Sequence, residues 1–350
     1  MPISHPTDHL RTALTLARQL SCPLVALCSQ HASVHDAMPL ADEVGAELVA
    51  IDFADIPGDL LPRFATTDLL GTTPFDYIRD TSAKRNLGLL LASLMGWQRI
   101  VFLDDDIEVP NPGDLRRAAH LLDRYAAVGL VIDYFPDNSV VCHAHRAAGG
   151  GQETFIGGGA LAVGAAAMSS FFPKIYNEDW FFLLDGARLC PATMVGSAVQ
   201  HHYDPYDSVH RAELEEFGDC MGEGVFHLLD SGRTIRGATR HQYWQQFLDR
   251  RLLFIEHVIE RVEASGEPAP EQQRMIAALA AAHARSALIN PLTCVDYLRT
   301  WRDDRALWRR HVDALQREYQ TSLNRLGQLA RLEKVLSELG LMECSCLTMI

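Results

Sequence analysis

The feature that most restricts how this chain can fold is the stretch RIVFLDDDIEV, Arg99 to Val109, where an apolar run leads directly into Asp104, Asp105 and Asp106. The run reads as a buried strand, yet three adjacent carboxylates repel one another and resist ionising together. Such a strand must end where solvent or a cation is at hand. In open α/β sheets that place is the carboxyl edge of the strands, where ligands bind. An oxygen-rich cluster there relieves its repulsion by holding Mg²⁺ or Mn²⁺, and a metal bridging a substrate diphosphate would neutralise that group as it leaves. The bland alternative is a solvated acidic turn.

The surrounding pattern specifies an α/β fold. TDHLRTALTLARQL places Leu10, Ala13, Leu14, Ala17 and Leu20 on one helical face behind Thr7 or Asp8 as cap. PLVALCS and AELVAIDF read as short buried strands, and SAKRNLGLLLASLMGW as a helix feeding RIVFL, which makes three helix-then-strand steps and a mainly parallel sheet. AVGLVIDYF and SVVCHAH flank the turn-like PDN and predict a hairpin, hence a mixed sheet. The long connection DIPGDLLPRFATTDLLGTTPFDY is a candidate binding loop. From about Gln242 long helical patterns take over, so a boundary is expected near residue 240, with a catalytic domain over 1–240 and a helical domain over 241–350. The long amphipathic last helix favours a homodimer through the C-terminal helices.

Charge and composition exclude several classes. Acidic residues outnumber basic ones 45 to 31, for a formal charge of −14, whereas a nucleic-acid binder needs a basic face. Any anionic ligand must be met locally by a metal or a few arginines. His5, Asp8, His9, Arg11 and Arg18 interrupt the first thirty residues, so a secretory core is not expected and the chain reads as cytoplasmic. Eight cysteines without a C-x-x-C pair fit reduced thiols. The uncharged stretch Thr154 to Pro173 has a length that could span a bilayer. Its glycines and serines make it a weak apolar run, read as a buried strand-turn-helix instead. A haloacid-dehalogenase-like phosphatase also starts with a strand and D-x-D, but wants a small or hydroxyl residue where Ile107, Glu108 and Val109 follow. His143 and His145 in CHAH share a strand face, but spacing supplies no further zinc ligands.

Three segments in order carry a resemblance. KRNLGLLLASLMGWQRIVFLDDDIEVPNPGDL is similar to the central segment of GT-A-fold glycosyltransferases, especially family 2-like members, in which an R-N-x-G helix precedes a strand ending in D-x-D. FIGGGALAVG resembles the glycine-rich strand these enzymes place beside the donor sugar, and FPKIYNEDWFFLL resembles their E-D motif. Together they span Lys84 to Leu184, about a third of the chain.

The resemblance implies a metal-dependent glycosyltransferase acting on a nucleoside-diphosphate sugar, a UDP-sugar before a GDP-sugar, and a hydroxyl acceptor. It implies Asp106 as ligand to Mn²⁺ or Mg²⁺, Asp104 as a contact to donor or metal, and Asp105 among the donor-binding residues. Lys84 and Arg85 would lie near the diphosphate and Asn86 near the nucleotide; cations there would offset the charge of an acidic protein. Gly157, Gly158 and Gly159 would let the backbone approach the sugar. Glu178 and Asp179 stand at a helix start, where negative charge is favoured; both are catalytic candidates, and in inverting relatives the second acid is the general base, which marks Asp179. Trp180 is a candidate acceptor wall. His201 or His202, in QHHYD, is a candidate late metal ligand. Cys28 and Ser29 stand where an acid usually contacts the base, and inverting and retaining chemistry both remain open; in retaining relatives Asp179 would bind substrate. The alternatives are a non-catalytic nucleotide-sugar-binding protein with a helical partner-binding domain and a nucleotidyltransferase, for which the G-x-G-T-R type loop is missing.

Overall fold

The computed structural model describes residues 1–133, 138–151, 156–266, 268–323 and 326–348. The chain opens with β1 (Pro2–Ile3), α1 (Leu10–Leu20), β2 (Leu24–Cys28), α2 (Val34–Val44) and β3 (Leu48–Asp52). β2 runs parallel to both β1 and β3, with Cys28 level with Ile3 and Asp52. The 3.6-residue spacing of Leu10, Ala13, Leu14 and Ala17 buries one stripe of α1 in a cluster with Ala26, Ala37, Leu40 and Ala50. The expected cap is absent: a 3₁₀ turn, Thr7–His9, precedes α1, and the Thr7 hydroxyl accepts instead from the Ser33 amide at 3.1 Å.

A second set follows: α3 (Ala65–Gly71), α4 (Thr81–Met95), β4 (Arg99–Leu103), β5 (Ile107–Glu108), α5 (Pro112–Leu121), β6 (Ala127–Asp133), α6 (Val140–Ala147), β7 (Ala160–Gly164), α7 (Glu178–Phe182) and β8 (Ala192–Gln200). Their strands form a sheet in the order β4-β7-β6-β8-β5, parallel only between β6 and β8. Beyond it lie α8 (Val209–Asp230), α9 (His241–Glu263), α10 (Ala269–Ser286), α11 (Pro291–Leu323), α12 (Gln328–Glu338) and β9 (Ser345–Thr348), which returns to pair antiparallel with β3. The fold is α/β, with mixed sheets flanked by helices and a helical C-terminal region. Among the described residues no helix is long and apolar enough to cross a membrane.

Three expectations are corrected. SVVCHAH is helix α6, not the return strand of a hairpin: Ser139 accepts from the Cys142 amide, and Val140, Val141 and Ala144 pack with Ile255, Val258 and Leu279. A short apolar run with i, i+1, i+4 spacing is compatible with either element, and packing against helices decides it. Part of the PDN turn lies outside the described residues. The glycine-rich stretch forms buried β7 followed by turns, with no helix before Phe171 and Phe172, both fully buried; Thr154 and Phe155 lie outside the described residues. The last helical pattern is divided, with α11 ending at Leu323 and α12 starting behind Gly327, and the apolar residues Leu332, Val335 and Leu336 of α12 are buried in this chain's own core.

Residues on both sides of position 240 share that core. Trp308 of α11 meets Phe64, which stacks on Phe171 at 4.4 Å. Asp304, 2% exposed, accepts from the amides of Ala65 and Thr66 and from the Thr66 hydroxyl at 2.7–2.9 Å, so a residue of α11 caps the first turn of α3. Asp304→Asn replaces one acceptor by a donor facing buried N–H groups, and an unsatisfied buried donor costs about 1–3 kcal/mol. A fall of that size in unfolding free energy, read from urea midpoints, is expected; an unchanged midpoint would refute the cap.

Candidate functional site

The site is built around one buried guanidinium. Lys84, Arg85 and Asn86 are consecutive buried residues of α4, and successive helical positions point about 100° apart, so each reaches a different neighbour. Asn86 clasps the backbone of Phe172 in both directions, donating to its carbonyl and accepting from its amide at 2.8 Å. The Lys84 ammonium donates to Ile3 O, Ser4 Oγ and Ser29 Oγ at 2.7–2.9 Å, with Asp80 at 3.3 Å. Burial lowers the Lys84 pKa while Asp80 resists that shift. Lys84 therefore ties the ends of β1 and β2 to α4.

Arg85 does the equivalent for the three motifs. Its Nη2 donates to both oxygens of Asp104 at 2.8 Å, its Nη1 to Glu178 Oε1 at 2.6 Å, and its plane lies over Phe172, 5.5 Å from the ring centre. Only 3% of the side chain is exposed. A Cβ on Gly158 would stand 2.5 Å from Arg85 Nη1, so the glycine permits close approach, but of a guanidinium belonging to the chain itself. Gly159 is less constrained, its nearest neighbours lying at 3.4–3.6 Å, and its carbonyl accepts from the Asp104 amide at 2.9 Å. Gly157 is half-buried at the start of the same segment. Asp179 accepts from the Gly158 and Trp180 amides, which orients its carboxylate.

Three carboxyl groups thus face one cation. Burial pushes Glu178 up to about 8, because Asp179 and Asp104 add to the desolvation that Arg85 opposes. For Arg85, desolvation is outweighed by Asp104, Glu178 and Asp179, and its pKa is raised.

The members of the acidic triplet separate by environment. Asp105 is 11% exposed; its carboxylate accepts from the Ser4 and His5 amides at 2.7 and 2.9 Å and meets the His5 ring at 2.9 Å. Burial alone would raise Asp105, but these donors hold it below the usual carboxylate value. It fastens the segment after β1 to the segment after β4. Half-buried Asp106 accepts from the Gln200 amide group at 3.0 Å, and its carbonyl accepts from the His201 amide at 2.8 Å. The two histidines part company. His201 reaches Glu108 at 2.9 Å and sits edge-on to His9, which stacks on His5, whereas His202 lines a cavity beside α6. His5 and His9 were not singled out as site residues in the sequence, because they meet through the turn that precedes α1 and not through a helical repeat.

Among the described residues, the group whose three ligating atoms fall within 4.8 Å of one another is Cys142, Asp219 and Glu223, not the triplet. There Arg251 already supplies the charge, bonded to Glu216, Asp219 and Glu223 at 2.7–3.0 Å. Asp104 and Asp106 do not form an all-protein cage, but Mg²⁺ keeps waters and needs only one or two carboxylates beside substrate phosphates. The residues present fit a cation that arrives with a diphosphate.

α8 holds the E-D segment in place. Asn177, left-handed at φ 61°, donates to Asp219 at 3.2 Å, and Trp180 packs on Phe226 at 4.6 Å and against Gly222. A Cβ on Gly218 would stand 2.2 Å from Tyr176 O. Gly218→Ala gains up to about 1 kcal/mol of helix propensity but overpacks against backbone at about 1–3 kcal/mol. A net loss of stability is expected in urea unfolding; a stabilised variant would show that α8 does not constrain residue 176. Glu178→Gln tests the shared guanidinium. A carboxyl raised from 4.5 to about 8 makes the folded state bind more protons across that window, so stability falls as pH rises through it. Wild type should lose melting temperature relative to the variant from pH 5 to pH 8; a constant difference would remove the shift.

No family model matches this chain, and no curated protein matches its sequence closely enough to count as a relative.

Proposed function

We propose that the chain is a metal-dependent glycosyltransferase of the GT-A type, moving a sugar from a nucleoside-diphosphate sugar to a hydroxyl acceptor. The observation that carries this reading is convergence: Arg85 joins the strand-end Asp104, the glycine segment and Glu178 in one place, although nearly a hundred residues separate Arg85 from Glu178. Three motifs with independent local structures gathered at one strand end make a reaction site the economical explanation.

In this reading Asp106, with Asp104 beside it, would hold Mn²⁺ or Mg²⁺, which would supply Lewis acidity to a leaving diphosphate. Asp179, oriented by the Gly158 and Trp180 amides, takes the proton of the acceptor hydroxyl if the reaction inverts and binds substrate if it retains. His201, next to the triplet, is better placed than His202 to support the metal. The acid missing from Cys28 and Ser29 has a neighbour in Asp80, which accepts from Ser29 Oγ at 2.7 Å and puts a carboxylate beside the end of β2 for base or ribose contacts. UDP remains the favoured nucleotide.

One contact bears equally on this reading and on the alternative, a non-catalytic nucleotide-sugar-binding protein. Both Asp104 oxygens are engaged by Arg85, so a donor contact at Asp104 must compete with a buried ion pair. Thermal shift separates the readings. UDP or GDP with Mn²⁺ should raise the melting temperature, Asp106→Ala should abolish the metal-dependent part, and Asp179→Asn should keep binding while losing about 10²–10⁴-fold in transfer. Stabilisation without transfer by wild type would favour the binding protein, and no response to any nucleotide would end both.

A further inference from the structure

A cavity of about 550 Å³ opens between α6, the 202–206 connection and α10, a size within the range of small-molecule sites. His202 forms part of its wall, and the preceding residue donates its amide to Asp106 O, so the cavity begins one residue from the strand that pairs beside the acidic triplet. Tyr206 and Met275 supply apolar surface.

Its cations are unequally committed. Arg274, on the α10 wall, is taken up by Asp204 and Glu271. Arg211, close behind, stacks over Tyr203 at 4.2 Å and pairs with Glu215 at 2.7 Å. Arg146, half-buried on α6 and lining the cavity, makes no side-chain hydrogen bond or ion pair among the described residues. In a chain with a formal charge of −14, an arginine that faces a cavity without an acidic partner is a conspicuous vacancy in the pairing of charges. The neighbouring His143, bonded to Tyr203 OH at 2.9 Å, senses the same field: burial, then Arg211, Arg146 and His202, push it down to about 3, so it stays neutral and leaves the anion-binding role to Arg146.

We propose that this cavity seats an anionic acceptor, a small hydroxylated molecule whose phosphate or carboxylate group is held by Arg146 with His202 beside it. The acceptor role rests on the glycosyltransferase reading; the anion site does not. A planar guanidinium matches either oxyanion in bidentate fashion, and His202, on the cavity wall, follows the residue whose amide is bonded to Asp106 O.

The test uses the full chain and calorimetric titration at constant ionic strength with inorganic phosphate and, separately, acetate. At least one should bind wild type saturably, weaken at least about tenfold in Arg146→Gln and recover in part in Arg146→Lys. Phosphate alone would identify a phosphate-bearing acceptor and acetate alone a carboxylate-bearing one. Glycerol phosphate should displace bound phosphate, whereas glycerol should not. Binding of UDP with Mn²⁺ should be equal in all three proteins, which shows that the variants are folded. Failure of both anions to bind, or equal binding to Arg146→Gln, overturns the proposal even if UDP with Mn²⁺ binds. Anion binding that depends on Arg146 without any nucleotide binding would keep the anion site and remove the acceptor role together with the transferase reading.

Discussion

Arg85 divides one positive charge between Asp104 and Glu178, with Asp179 close enough to act on it as well. A guanidinium taken out of water is tolerated only when carboxylates replace its hydration, and three carboxyl groups gathered at one strand end are tolerated only with a cation among them. Each half requires the other. Removing the arginine would leave uncompensated buried acid, a loss of about 3–5 kcal/mol in comparable buried pairs. The excess of acid over base is eased in part by the proton that Glu178 keeps near neutral pH.

The helical layer repeats the same solution. Arg251 of α9 is bonded to Glu216, Asp219 and Glu223 of α8, and burial raises Glu223 to about 7 against the pull of the arginine. The two charge centres are joined through Asn177, which precedes Glu178 and donates to Asp219. Because Gly218 lets α8 approach the backbone at Tyr176, the E-D segment is gripped from the helical side while Arg85 holds it from the sheet side. The helices after residue 200 are therefore part of what positions the site.

Several parts of this arrangement were legible in the chain itself. Regular spacing identified α1, α4, β2, β3 and β4, since burial of a single face imposes its period directly on the sequence. The strand running into three aspartates was legible as a strand with an acidic end, because repulsion among them restricts where such a strand can end. Less was legible wherever a side chain's partner is distant along the chain. SVVCHAH has the composition of a strand and becomes a helix because α9 and α10 cover it. The Arg85 guanidinium, not an incoming ligand, takes the space beside Gly158.

The sequence by itself determined the α/β class and the acidic strand end, both of which depend on local periodicity and on charge between neighbours. Only the tertiary structure decided how the triplet is divided, with Asp104 held by Arg85, Asp105 joining two chain segments and Asp106 bonded to Gln200 at the base of β8. It also decided that His201 and His202 face different surroundings and that Arg146 lines a cavity with no ion-pair partner among the described residues. Adjacent residues of one type are alike in sequence; what separates them is the neighbour each meets across the fold, and that is set by packing between elements dozens of residues apart.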